Sequence, residues 1–149
     1  MRYVLDTNVL LFYVRDKNTR SFLEKNYAPF GSGNESIISI VSIAEIYSLA
    51  ARYNWGVLKQ KAIEKLIDDS IVIEIRYRDL IDMYVEIETF SNKSNTKRVR
   101  KGSAVKMGKN DLWIAATAMV TSGTLITSDT DFDHLNGELI DVLTYSPQD

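Results

Sequence analysis

The chain reads as a three-layer α/β domain built on a mainly parallel central sheet. Short β-branched runs alternate with longer stretches whose apolar residues recur at helical spacing. That alternation implies crossover connections and a sheet covered on both faces. At 149 residues the chain suits one domain, long enough to bury roughly 70% of its unfolded surface. An apolar fraction of 45%, a charged fraction of 26% and only two prolines place it among ordinary globular proteins. No internal repeat or low-complexity linker divides it, so residues 1–149 form a single unit.

The elements follow in order. Residues 2–5 (RYVL) form a short apolar strand stopped by Asp6-Thr7-Asn8, and VLLFYVRD (9–16) continues as a helix. Residues 36–41 (SIISIV) are a second β-branched run. They lead into SIAEIYSLAARY (42–53), where Ile43, Ile46, Tyr47 and Ala50 recur at helical spacing. GVLKQKAIEKLIDD (56–69) is an amphipathic helix and SIVIEI (70–75) a strand. RDLIDMYVEIETF (78–90) is a helix with Leu80, Tyr84 and Ile87 on one stripe. After a polar stretch comes MGKNDLWIAATAMV (107–120). Here Asn110 is a good N-cap, Ala115, Ala116 and Ala118 allow close packing, and Trp113, Ile114 and Val120 supply bulk. A strand TLIT (124–127), an Asp-rich turn and a last strand ELIDVL (138–143) complete the order.

Absences narrow the chemistry. There is no Cys, which excludes disulfides and thiolate metal sites and fits a cytoplasmic protein. His134 is the only histidine, so no His cluster can bind zinc. No glycine-rich phosphate cradle of either common pattern occurs. No apolar run approaches the roughly 20 residues that span a bilayer. The start, MRYVLDTNVLLF, meets Asp6 too early to hold a signal peptide's apolar region. Among groups that commonly define an enzyme, only carboxylates are plentiful. Any enzyme here works with Asp, Glu and a hard metal ion.

In a parallel sheet, ligand sites collect at the carboxyl ends of the strands. Asp6 follows the first strand, and Asp129 follows TLIT after Ser128. Glu45 lies about one turn into the helix after the second strand. Asp111 opens the helix that feeds TLIT, so it starts at the same edge. Each acid alone has a bland explanation. Asp6 could close an Asx-turn, and Asp129 could cap a short turn. Glu45 completes a formal capping box with Ser42, while Asp111 answers the helix dipole. Together, four unpaired carboxylates at one edge would repel, and a divalent cation relieves that cost. Oxygen ligands suit magnesium or manganese.

Four segments, VLDTNVLL (4–11), ISIVSIAEIY (38–47), GKNDLWIAATA (108–118) and LITSDTDF (125–132), together resemble the PIN-domain ribonucleases. More narrowly, the chain resembles the VapC-type toxins of prokaryotic type II toxin–antitoxin pairs. The segments stand in that family's order, and the resemblance covers nearly the whole chain. It implies a three-layer α/β/α PIN-like fold and an acidic quartet on Asp6, Glu45, Asp111 and Asp129. Asp6 and Asp111 match the positions most regularly associated with the metal, and Glu45 and Asp129 match supporting acids. Thr7, Asn8 and Thr127 match polar positions that orient the acids or a bound water. The resemblance further implies magnesium- or manganese-dependent cleavage of RNA to a 3′-hydroxyl and a 5′-phosphate. A homodimer and a cognate antitoxin are implied as well.

Competing motifs fail. DTDFDHLNGE (129–138) begins like an EF-hand loop, but the required Gly is His134 and the required Glu is Ile140. A phosphotransferase using Asp6 as nucleophile needs a second Asp two residues on, where Asn8 stands. The remaining alternative is a non-catalytic module that binds RNA or an antitoxin through the same surface.

Residues 92–110 contain seven Lys or Arg and no acid: Lys93, Lys97, Arg98, Arg100, Lys101, Lys106 and Lys109. With the whole chain at −2 and this segment at +7, the remainder carries −9. The asymmetry points to a polyanion, and the segment runs directly into Asp111. Lys97, Arg98, Arg100, Lys101, Lys106 and Lys109 are the candidate RNA contacts. The segment holds no aromatic residue, which favours contact with the RNA backbone over base stacking. A solvated loop is the bland reading.

Overall fold

A computed structural model describing residues 1–149 gives five parallel strands in the order β3-β2-β1-β4-β5. The strands are β1 (Arg2–Leu5), β2 (Glu35–Ser39), β3 (Ile71–Ile73), β4 (Thr124–Thr127) and β5 (Asp141–Thr144). The helices are α1 (Thr7–Arg15), α2 (Lys17–Asn26), α3 (Ile40–Arg52), α4 (Val57–Asp68), α5 (Arg78–Ser91) and α6 (Lys109–Thr121). A 3₁₀ turn spans Thr130–Leu135. The mainly parallel sheet that was expected is entirely parallel.

Period-two alternation assigns the faces. Tyr3, Leu5, Ile38 and Ile126 point to one side, where Val9, Leu10, Ile46 and Ile63 of α1, α3 and α4 cover them. Val4, Ile37, Leu125 and Val142 point to the other, against Ile87 and Phe90 of α5 and Ile114 and Ala118 of α6. Helices on both faces close the three layers. Ala115 and Ala116 are fully buried, as their small size requires of a helix lying directly on a sheet. Trp113 stacks on Tyr84, with ring centroids 4.3 Å apart, and joins α6 to α5. No helix is long and apolar enough to cross a membrane.

Three local expectations are corrected. The helix of 107–120 is capped by Gly108 and not by Asn110, because the Leu112 N–H already bonds the Gly108 carbonyl at 3.0 Å. Asn110 falls inside the first turn. The second strand ends at Ser39, whose hydroxyl accepts from the Val41 N–H at 3.3 Å and caps α3. Ser42 therefore lies within the helix and forms no capping box with Glu45. The last strand starts at Asp141, three residues later than its apolar pattern suggested, since Asn136–Ile140 is a turn closed by the Gly137 N–H on the Ile140 carbonyl. Helix α2 has no counterpart in the sequence pattern.

The strand order reverses direction at β1 and β4. Leu5 pairs with Ile126 there, and the Asp6 N–H donates to the Ile126 carbonyl at 3.1 Å. This is the topological switch point, where open α/β sheets place their ligands.

Candidate active site

Asp6 leaves β1 at this switch point and caps α1. Its Oδ1 accepts from the Thr7 N–H at 2.7 Å and its Oδ2 from the Thr127 hydroxyl at 2.7 Å. Only 5% of the residue is exposed. Burial raises its pKa above the ordinary carboxylate value, the two hydrogen bonds pull it back, and the charge of Asp129 adds to the rise. Thr127 serves a second acid too. Its hydroxyl oxygen accepts from the Asp129 N–H at 2.9 Å, which ties the loop after β4 to Asp6. Asn8 is exposed on the first turn of α1.

Asp111 sits in the first turn of α6, half-buried. Its pKa is pushed up to about 7, first by burial and then by the charges of Asp6, Asp129, Glu45 and Asp131. Glu45 comes in from α3, past the first turn, where it satisfies no backbone donor. Burial and then Asp6 raise its pKa, while Thr7 and Asn110 nearby oppose the rise. Asp6, Glu45 and Asp129 thus lie near enough to Asp111 for their charges to act on it, although of these four acids only Asp111 and Asp129 belong to the group whose oxygens come within 4.8 Å of one another.

The turn adds a fifth acid. Asp129 caps the 3₁₀ turn by accepting from the Asp131 N–H at 2.8 Å. Asp131 is exposed at this turn, and Asp111, Asp129 and Asp131 can each offer an oxygen within 4.8 Å of the others. Asp133 is engaged elsewhere, accepting from the Thr144 hydroxyl at 3.1 Å. The D-T-D spacing after β4 was the available signal for Asp131.

Two buried oxygens at the cluster, Thr7 Oγ1 and Glu45 Oε1, make no hydrogen bond of ordinary geometry; Thr7 and Asn110 lie near Glu45 without satisfying Oε1. Unpaired buried oxygens are rare and costly. Carboxylates that repel, together with unsatisfied oxygens and no nitrogen or sulfur donor, fit a hard divalent cation.

The basic segment is an irregular loop between α5 and α6 that runs into the first two residues of α6. The structure divides its cations. Arg98 lies 3.4 Å from Glu86 and donates to the Glu138 carbonyl at 3.1 Å, while Arg100 donates to the Ser103 carbonyl at 2.8 Å. Lys97, Lys101, Lys106 and Lys109 are exposed and join none of the ion pairs of the fold. His134, the only histidine, lies 2.7 Å through Nε2 from the buried Ser91 hydroxyl. Burial and then Arg100 lower its pKa and favour the neutral ring. It links the acidic turn to the end of α5.

Comparison with known proteins gives two kinds of likeness. No curated protein sequence matches the chain. Among solved structures, the VapBC2 complex of Rickettsia felis, bound to a promoter DNA fragment, contains a chain with 20% identity and a TM-score of 0.75. That match covers 98% of this chain and 100% of that one. VapBC-1 of nontypeable Haemophilus influenzae matches at 21% identity and a TM-score of 0.71, over 97% of this chain and 98% of that chain. VapBC-5 of Mycobacterium tuberculosis, described as a member of the VapBC family of toxin–antitoxin systems, matches at 21% identity and a TM-score of 0.61, over 97% and 98%. At these identities the likeness is one of fold. The family model of the PIN domain matches residues 3–138, and the chain belongs to the PIN domain family.

Proposed function

We propose that the protein is a magnesium- or manganese-dependent endoribonuclease and the toxin of a toxin–antitoxin pair. PIN domains are in general nucleases. The observation that carries the reading is the meeting of Asp6, Glu45, Asp111 and Asp129, buried enough to raise three of their pKa values. Asp6 and Asp111 hold the cation, with Glu45 and Asp129 beside them and Asp131 within reach. A bound divalent ion supplies Lewis acidity toward a phosphodiester and toward water. The chain's own part is to fix the carboxylates. Thr127 and the Thr7 N–H orient Asp6, and Thr127 also sets the backbone of Asp129. Lys106 and Lys109, just before Asp111, draw the RNA backbone to this edge. Cleavage leaves a 3′-hydroxyl and a 5′-phosphate, in the cytoplasm.

Exposed apolar residues support protein partners: Tyr47 on α3, Tyr53 just after it, Val57 and Leu58 on α4, and Ile75, Tyr77, Ile81 and Val85 before and along α5. They suit a cognate antitoxin and a second copy of the chain.

The test is substitution at the acids. Asp6→Asn and Asp111→Asn abolish RNA cleavage while the far-ultraviolet dichroism stays native, and Glu45→Gln does the same. Wild-type cleavage by either Asn variant with magnesium present overturns the assignment. A chain that binds RNA but never cleaves it, with intact acids and metal, is instead the non-catalytic module.

A further inference from the structure

A groove of about 620 Å³ opens between the end of α5 and the segment that enters α6. Its volume falls within the roughly 300–1,000 Å³ of small-ligand sites. Val105, Met107 and Leu112 make part of its lining apolar, and Glu88 and Asn92 add hydrogen-bonding groups from α5. Gly108 lines it too, and a Cβ built on Gly108 would stand 3.9 Å from Asp111 Oδ2. Gly108 is thus the point at which the groove lies next to Asp111.

The charges around this groove are ordered. Lys106 and Lys109 belong to the side that meets Asp111, while the carboxylate Glu88 belongs to the α5 side. An occupant is anionic where it passes the lysines and neutral, with N–H donors, where it meets Glu88. Nucleotides have that polarity. A phosphate placed against Glu88 would be repelled; a base would not. An ionised carboxylate accepts only, and two oxygens take two adjacent donors best. Guanine presents such a pair on its Watson–Crick edge, N1–H and the 2-amino group, and no other RNA base does. Unpaired bases expose that edge.

We propose that this groove is a base pocket, taking an unpaired guanine next to the phosphodiester held at the acids. The inference rests on the ribonuclease reading and adds a specificity to it. Glu88 reads the base, and the apolar residues cover its faces. The Ser91–His134 contact of 2.7 Å ties the end of α5, which lines the groove, to the 3₁₀ turn that carries Asp131.

The experiment uses the full chain. Asp111→Asn binds, without cutting, short single-stranded RNAs that differ at one central nucleotide: each of the four bases, or an abasic site. Guanine binds tightest, and the abasic RNA is weaker by about tenfold, the order of one hydrogen bond to a charged group and not of aromatic stacking. Ala104→Trp, added on the exposed loop that lines the groove, removes that advantage; Glu88→Gln removes the preference for guanine. Magnesium-induced thermal stabilisation of the otherwise wild-type chain is unchanged by Ala104→Trp, which shows that the acids are intact. Equal binding of all five RNAs, or an Ala104→Trp variant that keeps the guanine advantage, overturns the pocket. If Ala104→Trp loses only a protein partner, the groove is a protein-docking surface and the proposal is wrong. Guanine-dependent binding by a wild-type chain that cleaves no RNA keeps the pocket and overturns the nuclease reading.

Discussion

One hydroxyl, that of Thr127, supports two acids from different strands. It donates to Asp6 in a buried contact and accepts from the Asp129 N–H in a partly buried one. Thr127→Val keeps the shape and leaves a buried carboxylate oxygen and an N–H without partners, at a cost of about 1–3 kcal/mol for such a group. Denaturant titration measures this loss, and a stability equal to wild type would mean that water replaces the hydroxyl freely. Asp111 yields a prediction of the opposite kind. Its ordinary pKa of 3.8 rises to about 7 in the fold. The native state therefore holds a proton that the unfolded chain has released between those values. Stability from this group is full below the ordinary carboxylate pKa and is lost as pH rises through about 7. Asp6 and Glu45, also raised, act in the same direction. In chelator, the melting temperature at about pH 5 exceeds that at about pH 8, and Asp111→Asn flattens the difference. Scanning calorimetry decides, and a melting temperature that climbs from pH 5 to pH 8 in chelator contradicts the cluster. On the proposed reading, saturating magnesium opposes the loss at high pH by binding the ionised acids.

At the scale of the element, the caps separate two readings of the same serines. Ser39 caps α3, so Ser39→Ala lowers stability by roughly 0.5–2 kcal/mol. Ser42, the cap that the S-I-A-E pattern suggests, is buried with a hydroxyl lacking any partner, so Ser42→Ala leaves stability nearly unchanged. The reverse ranking in thermal melts would restore the capping box. These serines also show what the sequence could tell. Strands and helices with a buried stripe were legible, because Ile37, Ile38, Ile46 and Ile87 must be covered and their spacing says by what. Element starts were less so, since Gly108 caps α6 through its backbone alone and leaves no side-chain signature. Helix α2 was illegible for a related reason. Its buried residues are only Thr19 and Leu23, and it is started by Asp16, which accepts from the Asn18 and Thr19 N–H groups. The acids at strand ends could be found from topology; the spacing after β4 offered Asp131 and Asp133 alike, and the capped 3₁₀ turn decides that Asp131 is the one beside Asp111 and Asp129.

Across the whole molecule, positive charge is concentrated on one loop and negative charge on the rest, at +7 against −9. The fold shows that this loop is not a uniform cationic surface. Arg98 and Arg100 are spent on Glu86, the Glu138 carbonyl and the Ser103 carbonyl, which shape the loop. Lys97, Lys101, Lys106 and Lys109 are exposed, and on the proposed reading they are the ones that meet phosphates. Each phosphate contact releases condensed counterions, with a slope of about −0.7 in log affinity against log salt for a single strand. Changing the four lysines to Gln therefore flattens the slope by up to about 2.8 units and weakens binding to many RNAs alike. Arg98→Gln acts differently: it loosens the loop from α5 and the turn at Glu138, and its first effect is on the stability of that region. RNA titrations at several salt concentrations, in the Asp111→Asn background, separate the two. Magnesium-induced stabilisation of the four-lysine variant, with Asp111 restored, stays at the wild-type value because no carboxylate has changed. A slope unaltered by all four substitutions means that the RNA crosses another face, and the exposed lysines only keep the loop in water.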